Sequence, residues 1–113
     1  MTVRVFIKNL ELLARIGVHG HEQGMPQPVR ISVDLDAEQE GDRLEDVVDY
    51  EAVANGIRGI VAAGHINLAE TLANRIADMC MVDARVMRAI VKVEKLHSLP
   101  GAEAAGVQIE RVR

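Results

Sequence analysis

Residues 49–83 decide the fold of this chain, and they read DYEAVANGIRGIVAAGHINLAETLANRIADMCMVD. Apolar residues recur in this stretch three or four positions apart, which is the spacing of one face of an α-helix. The repeat is interrupted at Gly64, so the pattern predicts two helices, each with one apolar face to bury. The two apolar faces are formed by Val53, Ile57, Ile60 and Val61, and by Ala69, Leu72, Ala73, Ile76 and Cys80.

Both predicted helices begin with polar side chains. Asp49 is the predicted N-cap of the first helix, and Tyr50, the only tyrosine of the chain, follows it in the first turn. Residues 67–70, at the start of the second helix, read NLAE. An asparagine followed three residues later by glutamate is typical of a capping box, in which side chains satisfy free backbone donors. That pattern alone would explain Glu70.

Four segments outside residues 49–83 alternate apolar and polar residues, as strands with one solvated face do. In the first segment the apolar positions change parity after Ile7, which predicts a bend or a bulge. Residues 17–28 are rich in glycine and proline and form the predicted loop between the first two strands. The apolar sets are Val3, Val5, Ile7, Leu10, Leu12, Ala14 and Ile16; Val29, Ile31, Val33 and Leu35; Met87, Ala89, Val91 and Val93; and Ala105, Val107 and Ile109.

Lys95 is in phase with the third apolar set. Because side chains alternate strictly along a strand, Lys95 is predicted to point to the face that Val93 occupies, where the strand ends. A lysine at such a position usually extends its ammonium group to solvent at the rim of the core. The position by itself favours this structural interpretation.

The predicted order of elements is strand, strand, helix, helix, strand, strand. Two hairpins need only short connections, so we expect an α+β fold in which an antiparallel four-stranded sheet carries both helices on one face. Residues 1–113 are expected to form this ββααββ unit as a single domain. The open sheet leaves two unpaired edges, which small proteins usually cover or pair. We therefore expect self-association through the sheet edges that closes a multi-subunit β-barrel.

Charge and composition argue against several classes of partner. The net charge is -4 and no run of lysine or arginine occurs, which argues against a nucleic acid or a membrane surface. Phe6 and Tyr50 are the only aromatic residues, too few for a base-stacking platform. The chain has one cysteine, no signal-peptide pattern and no apolar run near the roughly 18 residues of a membrane span. We expect a soluble, cytoplasmic protein.

Two histidines raise the alternative of a metal site. His19 and His21 lie two residues apart in the loop, and in an extended segment they would share a face and could bind zinc. A third ligand would have to come from His97 or His65, and the spacing does not predict one. A loop with two histidines is usually only polar surface, so we predict no metal site.

Four motifs, in register across nearly the whole chain, carry a resemblance to a known family. They are Ile16-Gly17-Val18 with Glu22-Gln23 and Gln27; Asp49-Tyr50; Asn67-Leu68-Ala69-Glu70 with Leu72-Ala73; and Glu94-Lys95 with Gly106-Val107. In this order and spacing the chain resembles the dihydroneopterin aldolases, which are folate-pathway enzymes of the tunnelling-fold superfamily.

The resemblance implies an aldehyde-lyase that cleaves 7,8-dihydroneopterin into 6-hydroxymethyl-7,8-dihydropterin and glycolaldehyde. It implies that no metal or other cofactor is needed, because the C=N group of the pterin ring is itself the electron sink. It also implies a homo-oligomer, with rings of four subunits commonly stacked into an octamer. The active sites would then lie between neighbouring subunits.

The resemblance further implies roles for single residues. Lys95 would be the general base, acting through water, and Glu22 would orient Lys95 or the substrate hydroxyls. Tyr50, supplied across the subunit interface, would shuttle a proton at the reacting carbon. Glu70 would accept hydrogen bonds from the 2-amino group and the neighbouring ring N–H of the pterin, a role that competes with the capping box. The other expected substrate-binding positions are Asp49 and the main chain near Val48, Leu68 and Ala69.

Two departures from the family pattern leave alternatives open. Many of the aldolases have proline after the lysine, whereas Lys95-Leu96-His97 looks more like the related dihydroneopterin triphosphate epimerases. No cluster of arginine or lysine near the loop motifs is available to receive a triphosphate. The second departure is Pro28, which is expected to shift the loop that carries Glu22. A third alternative is a non-catalytic pterin-binding ring protein, which would need Glu70 but no working base.

Overall fold

The first two strands form a long antiparallel hairpin. In the computed structural model, which describes all 113 residues, strand β1 spans Thr2–Ala14 and strand β2 spans Gln27–Glu38. Their pairing register shifts between Ile7 and Leu10, and Asn9 adopts a positive φ of 59° at this point. The predicted bulge is confirmed, and it keeps the apolar residues on both sides of it turned to the core.

Strand β2 is the central element of the sheet. It pairs with β1 on one edge and with β3, Val86–Lys95, on the other, and β3 pairs with β4, Ala105–Val112. All three pairings are antiparallel. The inward side chains of β2 are at most 1% exposed: Val29, Ile31, Val33, Leu35 and Ala37. The predicted four-stranded antiparallel sheet is confirmed.

Strand β3 contains a bulge that the sequence did not reveal. Ala37 pairs with Val86 whereas Asp36 pairs with Arg88, so Met87 has no partner in β2. Val86 is fully buried and Met87 is 44% exposed. The prediction that Met87 belongs to the inward-facing set was wrong, because the extra residue reverses the alternation at this end of the strand.

Helices α1, Tyr50–Ala62, and α2, Ala69–Met81, cover one face of the sheet. Helix α2 packs on β3 and β4, while α1 packs on β1 and α2. All their buried residues except Ala77 belong to the predicted apolar faces, with Ile57 on α1 and Leu72 and Ile76 on α2 fully buried. A cluster of 20 buried residues fills the space between the two layers. Each large aliphatic side chain buried there stabilises the fold by about 1.5–3 kcal/mol.

The helix starts agree with the sequence in one case and differ in the other. Asp49 caps α1 as predicted, since its side chain accepts a hydrogen bond of 2.9 Å from the backbone N–H of Glu51. The N-cap of α2 is Leu68 rather than Asn67, and no side chain caps this helix. Glu70 is then the second helical residue, one position short of the place that a capping box requires. The capping-box interpretation was wrong.

The sheet face opposite the helices is polar. Cross-strand ion pairs run over it, including Arg4 with Asp36 at 2.8 Å and Arg30 with Glu94 at 3.2 Å. An exposed pair such as that of Arg4 stabilises a protein by at most about 1 kcal/mol. Cross-strand pairs also favour one register of the strands over its neighbours.

Two edges of the sheet are unpaired, as expected, because β1 and β4 each pair on one side only. Closure of a barrel by further subunits stays a prediction. None of the helices combines the length and the apolar character needed to cross a membrane.

Candidate active site

Three separate segments of the chain meet around a cavity of about 330 Å³. The loop between β1 and β2 supplies Glu22, the start of α2 supplies Glu70, and the end of β3 supplies Lys95. The cavity thus brings together five of the eight positions predicted from the sequence, namely these three residues with Leu68 and Ala69. It is also lined by Val18, His19, His21, Asn67, Ser98, Leu99, Ala105, Gly106 and Val107.

Lys95 is the last residue of β3, and its side chain lies on the helix-covered face as the alternation predicted. It pairs with Val29 of β2 and with Ala105 of β4, and its side chain is 19% exposed. Its Nζ donates a hydrogen bond of 2.9 Å to Oε2 of Glu22. This ion pair joins the loop between β1 and β2 to the end of β3, 73 residues further along the chain.

Glu22 is the only buried charged residue of the protein, with 5% of its surface exposed. It ends a single turn of 3-10 helix, Gly20–Glu22. Its carboxylate accepts hydrogen bonds from Nε2 of Gln27 at 2.8 Å, from Lys95, and from the backbone N–H of His19 at 3.3 Å. The bond from Gln27, followed by that from Lys95, lowers the pKa of Glu22 to about 2, although burial acts in the opposite direction. So acidic a carboxyl is a poor base, and its geometry fits an orienting role.

A close approach of the backbone at Gly17 makes room for this carboxylate. Gly17 has a φ of 126°, and a Cβ atom built on it would overlap the carboxyl group of Glu22. Gln27 also donates to the carbonyl oxygen of Ile16 at 2.7 Å, so one amide fixes both the backbone and the carboxylate. Gly17 and Gln27 both belong to the first family motif, and no role was predicted for either residue.

Glu70 presents a free carboxylate to the same cavity. It is exposed in the first turn of α2, and the hydrogen bond made there by Asn74 goes to its backbone carbonyl rather than to its side chain. With the capping role removed, both carboxylate oxygens can accept hydrogen bonds from a ligand. A carboxylate pairs well with two adjacent N–H donors.

Comparison with known proteins identifies the family to which this arrangement belongs. The family model described as FolB, dihydroneopterin aldolase, matches residues 5–110. The chain belongs to the dihydroneopterin aldolase family. A dihydroneopterin aldolase of Streptococcus pyogenes serotype M6 is 32% identical over 114 residues, which cover 92% of this chain and 96% of that protein.

Solved structures of the dihydroneopterin aldolase family have the same fold. A dihydroneopterin aldolase from Burkholderia thailendensis, crystallised bound to guanine, is 32% identical with a TM-score of 0.87, over 99% of this chain and 92% of that one. A FolB protein of Vibrio cholerae is 28% identical with a TM-score of 0.90, over 98% of both chains.

Some relatives in the family are much longer. The chain is 32% identical over 112 residues to the folic acid synthesis protein FOL1 of Dictyostelium discoideum, but it spans only 17% of that protein. It spans 15% of the corresponding protein of Pneumocystis carinii. The region shared with this chain is therefore one part of those polypeptides.

Three of the positions expected from the dihydroneopterin aldolase resemblance, Val48, Asp49 and Tyr50, lie outside the cavity. Tyr50 is 64% exposed and lines a crevice over β1 that includes Leu35. Val33, also in the crevice, and Leu35 lie four and six positions along β2 from Val29, the partner of Lys95, so roughly 13–20 Å separates the two places. Within one subunit, Tyr50 does not reach Lys95.

His19 and His21, considered above as metal ligands, lie in the cavity wall, and Pro28 lies in β2. The rings of His19 and His21 stack with their centroids 5.6 Å apart and line the cavity. No group of three or more His, Cys, Asp or Glu side chains is placed to hold a metal ion. Pro28 is part of β2, where it pairs with Leu13, and Glu22 still reaches Lys95.

The lowered pKa of Glu22 predicts a contribution to acid stability. Ionised Glu22 stabilises the folded state fully above pH 4.5, its ordinary pKa, and this contribution is lost as the pH falls toward about 2. The urea midpoint of the wild type should therefore fall more steeply across this window than that of Glu22→Gln. Urea denaturation at one protein concentration, in a pH series, measures this. Glu40→Gln, at an exposed site, should keep the wild-type slope, and parallel curves for Glu22→Gln and wild type would contradict the assignment.

Proposed function

We propose that this protein is a dihydroneopterin aldolase of folate biosynthesis, and that residues 1–113 act as its catalytic domain. The reaction is cleavage of 7,8-dihydroneopterin into 6-hydroxymethyl-7,8-dihydropterin and glycolaldehyde. The observation that carries the proposal is the cavity in which the Lys95–Glu22 ion pair faces the free carboxylate of Glu70. We place the reaction in the cytoplasm, as the composition favours.

Glu70 is the proposed anchor of the pterin ring. The 2-amino group and the adjacent ring N–H of a pterin are two parallel donors, and a carboxylate accepts both. The Burkholderia relative is bound to guanine, whose pyrimidinone ring offers the same pair of donors. Leu68 and Ala69 precede Glu70 in the cavity wall, and their main-chain groups are the proposed partners of the remaining polar atoms of the ring.

The chemistry requires a base, an electron sink and an acid. Lys95 acts as the base once its ammonium has lost a proton; the resulting amine still donates its hydrogen bond to Glu22, and it removes the proton of the 2′-hydroxyl through a water molecule. The bond between the first two side-chain carbons breaks, the aldehyde leaves as glycolaldehyde, and the bonding electrons move into the C=N group of the pterin. A proton delivered to the first side-chain carbon then completes the product. The ring is the electron sink, so neither a lysine Schiff base nor a metal ion is required.

Glu22 serves this chemistry by holding Lys95. Its pKa of about 2 makes it too weak a base to accept the hydroxyl proton itself. Its hydrogen bond of 2.9 Å fixes the amine at the rim of the cavity, and its second oxygen is held by the loop backbone at His19. The ion pair is therefore a positioning device for the proposed base.

The site is proposed to be completed by a neighbouring subunit. Both sheet edges are open, and the crevice that Tyr50 lines is roughly 13–20 Å along β2 from the partner of Lys95 in the same chain. We propose that β1 of one copy pairs with β4 of the next, and that this pairing brings the start of α1, with Val48, Asp49 and Tyr50, toward the cavity of its neighbour. Tyr50 would shuttle the proton at the reacting carbon. We propose rings of four subunits that stack into an octamer.

Epimerisation of the same side chain is the competing function. It is favoured by the sequence Lys95-Leu96-His97, and the connection that follows it contributes Ser98 and Leu99 to the cavity. A triphosphate substrate is disfavoured, because Lys95 is the only lysine or arginine among the lining residues.

The decisive experiment separates these functions by product. Purified protein is incubated with 7,8-dihydroneopterin and, separately, with its triphosphate, without added metal and with a chelator. We expect 6-hydroxymethyl-7,8-dihydropterin and glycolaldehyde from the unphosphorylated substrate, resolved by chromatography. Epimer without cleavage would replace the proposal with the epimerase. Tight pterin binding with neither product at any pH would indicate a binding protein.

Lys95→Ala and Glu70→Ala should fail in different ways. Removal of a general base lowers kcat by about 100-fold or more while pterin affinity stays within about threefold. Removal of Glu70 loses charge-assisted hydrogen bonds, which corresponds to an affinity about 10-fold to 100-fold weaker. Steady-state kinetics and fluorescence titration with a product pterin measure both effects. Lys92→Ala, on the opposite face of β3, is the matched control, and full turnover by Lys95→Ala would refute the base assignment.

Mixed assemblies test whether Tyr50 acts across the subunit interface. Tyr50→Phe and Lys95→Ala are each expected to be inactive, and the two are unfolded together in equal amounts and refolded. If a site takes Lys95 from one subunit and Tyr50 from its neighbour, random mixing restores roughly a quarter of the sites. Each variant refolded alone is the control, and light scattering gives the subunit number. Mixtures that stay inactive although they assemble would show that the two residues do not share a site in this way.

A further inference from the structure

The connection between α1 and α2 is tied to the loop that carries Glu22. Ile66 forms a parallel bridge with Ile16, in which the backbone N–H of Gly17 donates to the carbonyl of Ile66 at 3.0 Å. The backbone N–H of Ile66 in turn donates to the carbonyl of Arg15 at 2.9 Å. This bridge links the residues that lead to Glu22 with the residues that lead to Glu70.

His65 adds a side-chain bond to this junction. Its Nε2 lies 2.8 Å from the carbonyl oxygen of Gly17, which also accepts a bond of 3.0 Å from Nε2 of Gln23. A carbonyl oxygen only accepts hydrogen bonds, so Nε2 of His65 carries the ring proton. The other ring nitrogen, Nδ1, is buried and has no partner. The imidazole therefore makes a single hydrogen bond, from Nε2 to the carbonyl oxygen of Gly17.

The position of the Gly17 peptide controls the position of the Glu22 carboxylate. The carboxyl group packs so closely on Gly17 that no Cβ atom fits between them. A displacement of this peptide therefore displaces the carboxylate, or opens a gap that water can enter. Either change alters the bond from Glu22 to Lys95, because that bond ends on the same carboxylate.

We propose that His65 is a positioning residue for the Lys95–Glu22 pair, acting through its hydrogen bond to the carbonyl of Gly17. This role rests on the proposed aldolase function for its effect on turnover. We expect His65 to have no role in binding the pterin through Glu70. The segment that leads into α2 is held by the backbone hydrogen bonds of Ile66, which do not involve the imidazole. His65 is not among the residues that line the cavity.

The test uses two substitutions at one site. His65→Leu removes the donor with little change of volume, and His65→Gln keeps an N–H donor within reach of the same carbonyl. We expect kcat of the leucine variant to fall by about 10-fold to 100-fold with KM within about twofold, since small displacements of catalytic groups are costly. The glutamine variant should recover most of kcat. Unchanged kcat in His65→Leu, or an equal loss in both variants while both remain folded, would overturn the proposal.

A second measurement does not depend on catalysis. With ¹³C-labelled glutamate carboxyls, the titration of Glu22 is followed by NMR, and its pKa of about 2 in the wild type is the reference. The pKa should rise toward 4.5 in His65→Leu and stay near 2 in His65→Gln. If the leucine variant does not fold, His65→Asn, whose amide is too short to reach the carbonyl, replaces it. A wild type that cleaves no dihydroneopterin would refute the proposed function alone, whereas an unchanged Glu22 pKa in every variant would refute the role of His65.

Discussion

The pairing of β2 on both of its edges is the constraint on which the rest of this structure depends. Its alternating side chains fix which face of the sheet is buried, and a slip of one residue would turn that whole set to solvent. The same register pairs Val29 with Lys95, so the central strand also determines where β3 ends relative to the hairpin loop. Lys95 lies on the core face of β3, two residues after Val93, and it supplies the cation of the candidate site.

Burying Glu22 is the main electrostatic cost of the site. An isolated ionised carboxylate in an apolar interior is unfavourable by several kcal/mol, and it persists only with partners that satisfy its oxygens. Here Gln27, Lys95 and the backbone of His19 supply those partners, and the lowered pKa is the consequence. The geometry of the loop is thus maintained by the same bonds that orient the lysine. Structure and proposed chemistry depend on one set of hydrogen bonds.

The candidate site is assembled from segments that are distant in sequence. The hairpin loop brings Glu22, the start of α2 brings Glu70, and β3 brings Lys95. The bridge between Ile16 and Ile66 joins the first two of these segments directly. A small domain with a modest aliphatic core can hold such a site because each segment is anchored to a neighbour by backbone bonds rather than by a large interior.

Patterning determined much of this protein from the sequence alone. The period of two in the strands and the period of 3.6 in the helices were sufficient for the order of elements and the layers, because these depend on local alternation of apolar residues. The change of parity within β1 was sufficient for the bulge near Asn9. The family motifs were sufficient to nominate Glu22, Glu70 and Lys95. The start of α2 was predicted wrongly. In the sequence Asn67 and Glu70 fit a capping box, but the backbone shows that Leu68 is the N-cap.

Tertiary structure alone decided how these residues meet. The bond from Gln27 to Glu22, the contact of Glu22 with Gly17 and the bond from His65 to Gly17 join positions whose side chains have no periodic relation in sequence. The bulge at Met87 is of the same kind, because it depends on the pairing of β3 with β2. Local periodicity in the sequence indicates which face of a strand or helix a residue occupies. The distance between two side chains on different segments depends on how the whole chain packs.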